Sequence, residues 1–255
     1  MKTIPAILCS VLLCFSTSVY AIDKMTTEID IPDLLDSEMQ DGEEEYYDYS
    51  EEVTINDPLE PVNRMFFKFN DKLYDWVMKP VTDGYTWVVP EDLRESFGSA
   101  FQNLGAPVRL LNSLLQGELK QSGIVLERFL INSTIGVLGL VDIASKEFDL
   151  QPTKADFGQT LGKWGAGEGI YICWPFLGPS SVRDGIGLAV DAYTHPIPYL
   201  YNDLEVDLIY YSVYRINDLS LNPDIYEDLR KYSVDPYAAS RQAYYEYRKA
   251  MIEKK

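Results

Sequence analysis

Few side chains in this sequence could carry catalysis. There is one histidine, His195, set between Thr194 and Pro196. Of three cysteines, Cys9 and Cys14 lie in an apolar N-terminal run, which leaves Cys173 as the lone thiol of the body. A nucleophilic triad needs a base and an orienting acid beside the nucleophile, and neither Cys173 nor any serine stands at a recognisable spacing from His195. Gly178-Pro179-Ser180-Ser181 lacks the G-x-S-x-G pattern of a nucleophile elbow. No ligands cluster with His195, so no metal site is expected. With 40 Asp and Glu residues, no single carboxylate pair stands out as an acid–base couple. The glycine-rich run 161–169 contains Gly162-Lys163 but no Ser or Thr after the lysine. It lacks the ending of a phosphate-binding P-loop, and tight positive-φ turns are the expectation there. The sequence therefore predicts no catalytic residues, no metal and no cofactor.

Polar residues placed on or beside apolar helices are the more informative group: Asn63, Arg64, Arg128, Asn132, Arg183 and Asp184. Buried polar groups need partners, so most of these should satisfy backbone groups or pair with one another. Trp164, Tyr171 and Trp174 flank the glycine-rich run, and their rings suit either a core or an interfacial belt.

The elements that would position these residues are mostly helices. In 58–79, Leu59, Val62, Phe66, Phe69, Leu73 and Trp76 recur at alternating three- and four-residue spacing, which puts them on one helix face. Such a stripe more often packs into a core than against a membrane. Asp57 is the expected N-cap, Pro58 the first helical residue and Pro80 the stop. Further helices are predicted over 90–101, from Pro107 to a stop at Gly117, and over 118–132, 179–193, 204–216 and 236–252. The apolar stretch 135–140 is broken by Gly136 and Gly139, which predicts a bent or looped element. Few segments alternate with period two. The expected fold is mainly α, a single domain over 56–252.

Charge and hydropathy set the surroundings. The net charge is −18. That disfavours nucleic acid, whose phosphates need clustered Lys and Arg, and it disfavours loose attachment to anionic headgroups. Residues 22–57 hold fourteen carboxylates against one base, Lys24. Residues 22–55 are therefore expected to form an acidic disordered tail, most simply a solvated spacer. Lys2, the apolar run 4–15 and Val19-Tyr20-Ala21 fit a cleavable export signal over 1–21. The run is shorter than the roughly 20 residues a bilayer span needs, and no longer apolar run follows it.

Several motifs occur in one order. Asn56-Asp57-Pro58-Leu59-Glu60-Pro61-Val62-Asn63-Arg64 comes first, followed by Lys79-Pro80-Val81, Val89-Pro90 and Phe101-Gln102-Asn103-Leu104. Leu115-Gln116-Gly117, Arg128-Phe129, Asn132-Ser133-Thr134 and Gly139-Leu140 continue the series. The strongest block is Asp156-Phe157-Gly158-Gln159-Thr160-Leu161-Gly162, and Leu177-Gly178-Pro179-Ser180, Arg183-Asp184 and Asp235-Pro236-Tyr237 close it. In this the chain resembles the MlaA/VacJ family over about residues 56–250.

The resemblance implies a ring-like domain of amphipathic helices with irregular Gly-rich connections, lying at the periplasmic side of the cell outer membrane. It implies non-enzymatic phospholipid transport, in which phospholipid mislocalised to the outer leaflet is removed and passed to a periplasmic carrier. Outer-membrane porins are the implied protein partners. Within that frame, one or two of Asn63, Arg64, Arg128, Asn132, Arg183 and Asp184 are expected to line a lipid path. Gly136 and Gly139 would belong to a gating segment, and Trp164, Tyr171 and Trp174 to the membrane interface. Two departures stand out. Cys14 follows Leu13, a poor setting for lipid attachment, and Ile170 stands where the family has proline. A structural adaptor for porins or other envelope components shares the same fold expectation. An exported hydrolase has little sequence support.

Overall fold

The computed structural model describes residues 55–201, 203–222 and 224–253. The export signal and all of the acidic tail but Ile55 lie outside the described residues. Ile55, expected as the last tail residue, packs against an aromatic core cluster.

Helices dominate. They are α1 Glu60–Leu73, α2 Lys79–Val88, α3 Glu91–Leu104, α4 Ala106–Leu115, α5 Leu119–Thr134 and α6 Ile143–Phe148. After α7 Phe157–Lys163 comes a hairpin of β1 Tyr171–Trp174 and β2 Gly178–Ser181. Then follow α8 Val182–Thr194, α9 Ile197–Tyr201, α10 Leu204–Leu221, α11 Asp224–Tyr232 and α12 Pro236–Glu253. The hairpin is antiparallel, with Tyr171 opposite Ser181 and Cys173 opposite Pro179. Period-two reasoning missed it, because Gly178-Pro179-Ser180-Ser181 has no apolar alternation. Pro179, expected to begin a helix, sits in β2. The following helix starts at Val182, where the Ser181 side chain caps it by accepting the Asp184 N–H.

Pro80 does not end the first helix. A π-helical turn, Tyr74–Met78, joins α1 to α2, and Lys79 donates its N–H back to Tyr74 O. The wider turn lets the chain continue through a proline that has no N–H to give. Asp57 is not the N-cap either. Leu59 holds that position without a side-chain bond, and the Asp57 carboxylate is used elsewhere.

The apolar faces point outward. In α1 the buried residues are Asn63, Phe67 and Asn70, continued by Tyr74 and Met78. Leu59, Val62, Phe69 and Trp76, from the stripe expected in the core, are exposed, Trp76 to 74%. The same inversion holds in α4, where Asn112 and Ser113 are buried while Leu111, Leu114 and Leu115 are exposed. In α5, Ser122, Arg128 and Asn132 are buried while Leu119, Leu126 and Leu130 are exposed. What apolar core exists is largely aromatic. One cluster joins Phe67, Tyr171, Cys173, Tyr237 and Tyr244, and another joins Tyr74, Met78, Leu219 and Tyr226.

The packing partners close into a circuit. The hairpin packs on α1 and, through β2, on α12; α12 packs on α7, α7 on α4, α4 on α5 and α5 on α3. From there α3 packs on α10, α10 on α2, and α2 returns through the π turn to α1. The neighbours thus return to their start, with a further contact between α3 and α4.

Candidate functional site

Buried polar side chains hold the joints of this circuit. At the first joint, α1 grips the hairpin with two asparagines seven residues apart. Asn63, 1% exposed, donates to Asp57 Oδ1 at 2.7 Å and to Tyr171 O at 3.1 Å, and its Oδ1 accepts the Cys173 N–H at 2.9 Å. Asn70 donates to Trp174 O at 2.9 Å and accepts the Phe176 N–H at 2.7 Å. Both supply the backbone pairing that a two-stranded hairpin leaves unsatisfied on its outer edge. Asp57 also accepts from Tyr237 Oη and, at 2.8 Å, from Arg241, which ties the start of α1 to α12. Arg64 forms a fork with Asp235 at 2.7 and 3.1 Å, pairs with Glu60, and lies 4.4 Å from the centre of the Tyr237 ring.

The second joint gathers α12, α7, α8 and α4. Arg248 reaches both oxygens of Asp156, at 2.7 and 2.9 Å, and Asp184 Oδ1 at 2.9 Å. Tyr244 Oη donates to the other Asp184 oxygen. Burial works against the charge on Arg248, yet the two aspartates outweigh it and hold its pKa well above the usual value. Asn112 donates to Asp191 Oδ1 at 2.8 Å and accepts from Thr160 Oγ1 at 3.0 Å, while Phe157 N–H reaches Asp191 Oδ2 at 3.0 Å. Asp156 also caps α7 by accepting the Gln159 N–H.

The third joint secures the segment after α5. Arg128 donates to Ser145 Oγ at 3.0 Å, to Asp142 Oδ2 at 2.8 Å and to Leu150 O. Asn132 donates to Asp142 Oδ1 at 2.9 Å and accepts the Ala144 N–H at 2.9 Å. Burial opposes ionisation of Asp142, but these bonds from Arg128 and Asn132, with the Ser145 N–H, prevail and lower its pKa.

All six polar candidates are thus engaged in the framework. Arg128 and Asn132 also line a small cleft beside α3, and Arg183 faces a larger one. Arg183 Nε donates to Asp184 Oδ1 at 3.0 Å, while Nη2 is buried without a hydrogen-bond partner. The larger cleft, of about 430 Å³, lies between residues 167–169, the start of α8 and the end of α12. Asp156, Arg248, Asp142 and Asp57 matter as much as the six, and sequence reasoning gave none of them this role, Asp57 having been expected only as a helix cap. For Arg248 alone a signal was present: it continues the buried row Tyr237, Ser240, Tyr244 along α12.

The aromatic trio separates. Trp164 is 57% exposed and Trp174 is also exposed. Tyr171 is not an interfacial residue. It is 3% exposed and packs edge-on against Tyr237 and Tyr244, because inward positions of β1 face α12. The glycine-rich run does contain positive-φ turns, at Gly165 and Gly169. In 135–140, Gly136 and Gly139 are tightly enclosed: a Cβ on Gly136 would lie 2.3 Å from Val141 O, and one on Gly139 would lie 2.5 Å from Asn103 Cβ. The residues between them are the opposite. Val137 and Leu138 hold φ of 53° and 59° and are exposed.

The groups considered for catalysis are committed elsewhere. Ser181 is a helix cap. Cys173 is fully buried, and burial raises its thiol to about 12. His195 packs against Tyr210 and Tyr211, with ring centres 5.5 and 5.9 Å away, and burial lowers it to about 4. Among the described residues no group of three or more His, Cys, Asp or Glu could hold a metal ion.

The class this defines is a helical circuit with polar side chains turned inward and apolar ones outward, the arrangement amphipathic helices adopt at a boundary with apolar solvent. No described helix is long and apolar enough to cross a membrane. The model of the MlaA lipoprotein family matches residues 55–251, and the chain belongs to that family. It is 34% identical over 194 residues to the intermembrane phospholipid transport system lipoprotein MlaA of Haemophilus influenzae, covering 75% of this chain and 77% of that one. The protein of the same name from Escherichia coli K12 is 31% identical over 196 residues, covering 75% and 76%. A solved structure on the maintenance of bacterial outer membrane lipid asymmetry superposes with a TM-score of 0.66 at 29% identity, covering 78% of this chain and 100% of that one.

Proposed function

We propose that this protein is a phospholipid transport component of the outer membrane, lying at its periplasmic side. It removes mislocalised phospholipid from the outer leaflet, without covalent chemistry, and passes it to a periplasmic carrier. One observation carries the reading: α1, α4 and α5 expose large apolar side chains while asparagines, serines and an arginine take most of their buried positions, beside Phe67, Ala106, Val108 and Val125. In water that arrangement would expose a large apolar surface with nothing to offset its cost. In a lipid leaflet the same surface is solvated by acyl chains, and the asparagines and Arg128 of the interior keep their hydrogen-bond partners. The names of its relatives support the lipid as cargo. Outer-membrane porins are the proposed neighbours in the membrane. The export signal, removed after Ala21, belongs to the same proposal.

Residues 135–140 are the proposed gate. Val137 and Leu138 keep a left-handed backbone that β-branched and bulky residues rarely adopt, and their exposed side chains gain no packing in return. The glycines at either end fix the loop to α5 and α3.

The test is lipid mass spectrometry on protein purified from membranes, joined to transfer of labelled phospholipid to an acceptor. Bound phospholipid and transfer are expected. Protein that retains porins but carries no lipid would indicate a structural adaptor instead.

A further inference from the structure

We infer that the cleft between residues 167–169, the start of α8 and the end of α12 is a subsite for a zwitterionic phosphodiester headgroup, a phosphate with an ammonium a few atoms away. This rests on the phospholipid reading and deepens it.

The cleft presents both signs of charge. Arg183 and Lys249 line it, and so do Glu168 and Glu253. Two buried donors on its wall are unused: Arg183 Nη2 and the Tyr171 hydroxyl have no hydrogen-bond partner, although these residues are 6% and 3% exposed. Among the described residues ten buried side-chain polar atoms lack a partner, and these two belong to residues that line the same cleft, which makes it a place for an acceptor that presents several oxygens. A guanidinium suits a phosphate in particular.

The carboxylates argue for the ammonium. Glu168 Oε1 lies 3.9 Å from Arg183 Nη2, close enough to attract but too far to hydrogen-bond. A phosphate placed on Arg183 would be repelled by Glu168 unless the same molecule brought a cation to it. Burial raises the Glu168 carboxyl above the usual carboxylate range, with Arg183 only partly opposing this, so the group gains from a nearby positive charge. The four lining charges sum to zero, which matches a neutral zwitterion better than a free anion.

The flank argues for a lipid source. Ile170 and Val182 are both exposed, and they are joined by a bond from Val182 N–H to Ile170 O at 3.2 Å. They sit one residue from Gly169 and Arg183, which line the cleft. An apolar step beside a charged pocket is the juxtaposition that acyl chain and headgroup require.

The experiment uses the full chain in detergent, titrated calorimetrically with glycerophosphoethanolamine, glycerophosphoglycerol and inorganic phosphate. Glycerophosphoethanolamine should bind saturably and about tenfold more tightly than the other two, the ratio one charge-assisted hydrogen bond supplies. Glu168→Gln should bring it down to the level of glycerophosphoglycerol. Arg183→Lys should weaken both diesters. Lys249→Gln, at an exposed position, should weaken them without altering the melting temperature. Equal binding of phosphate and glycerophosphoethanolamine, or no saturable binding, overturns the subsite. Lipid extracted from the same preparation separates the two ideas: bound phospholipid without headgroup binding removes only the subsite, whereas absence of phospholipid removes the transport reading.

Discussion

Asp191 accepts the Phe157 N–H and the Asn112 amide inside the joint of α8, α7 and α4, and burial raises its carboxyl to about 6. An unfolded aspartate titrates near about 3.9. Between those values the folded protein holds the proton and the unfolded chain does not, so stability falls as pH rises through that window. The full contribution is present below about 4 and is lost above about 6, and it is on the order of 3 kcal/mol. Asp142 has the opposite sign. Its pKa is lowered, so its contribution is present at neutral pH and is lost as pH falls below the ordinary carboxylate value. Asp191→Asn should flatten the fall in thermal stability between pH 4 and 6. The slope is the readout, because the new amide changes absolute stability as well. An unchanged slope would show that Asp191 titrates normally. At the same scale, Cys173 should resist iodoacetamide at pH 8 in the folded protein and react once unfolded. Its thiol is fully buried and its pKa is about 12, while the reagent needs an exposed thiolate.

At the scale of elements, most helices are visible in the sequence, and their orientation is not. The 3.6-residue period locates α1, α4, α5 and α12 because it depends only on where apolar residues recur. It does not say which solvent the apolar face meets. The row Leu59, Val62, Phe69, Trp76 looks identical whether it packs on a core or on lipid, and here it is exposed. The buried row was also on the page, as Asn63, Phe67, Asn70 and Tyr74 at the same spacing, but polar residues do not mark an interior under rules drawn from water-soluble proteins. The hairpin was hidden for a different reason. Its backbone pairing is completed by Asn63 and Asn70 from α1, more than a hundred residues away, and no local pattern contains that. Of the site, the six polar candidates could be read, and Arg248 had a spacing that placed it in a buried row, but that Asp156, Asp142 and Arg248 are their partners could not, since pairing is a property of the fold. The 135–140 loop shows how element and residue separate. Gly136→Ala and Gly139→Ala each force a Cβ into fixed neighbours and should cost about 1–3 kcal/mol by chemical denaturation. They therefore test packing. Gating is tested by Leu138→Asn, which keeps the left-handed backbone in a residue that tolerates it. That variant should leave stability unchanged or slightly higher and change lipid transfer. Unchanged transfer would remove the gate.

For the molecule as a whole, the outward apolar surface and the charge make a joint prediction. The chain carries a net −18, so attraction to anionic headgroups cannot hold it on a membrane. On the function proposed, attachment rests on apolar contact, which salt does not screen away. The protein should remain with the membrane fraction through high salt and leave it in detergent, and release by salt alone would mean a charged protein partner holds it. The sharper form substitutes side chains that the fold does not use. Leu119 is 74% exposed and opens α5, where an acidic side chain is favoured by the helix dipole. Leu138 is 77% exposed at the crest of the 135–140 loop. Burying a leucine in an apolar medium is worth about 1.5–3 kcal/mol, so Leu119→Glu with Leu138→Asn removes about 3–6 kcal/mol of membrane attachment and adds the cost of placing a carboxylate there. In detergent the double variant should melt within a degree or two of the wild type, because neither side chain is part of the packed interior. In cells it should shift from the membrane to the soluble fraction. A double variant that unfolds in detergent would mean these leucines support the fold, and one that stays on the membrane would mean that this face of the ring does not meet lipid.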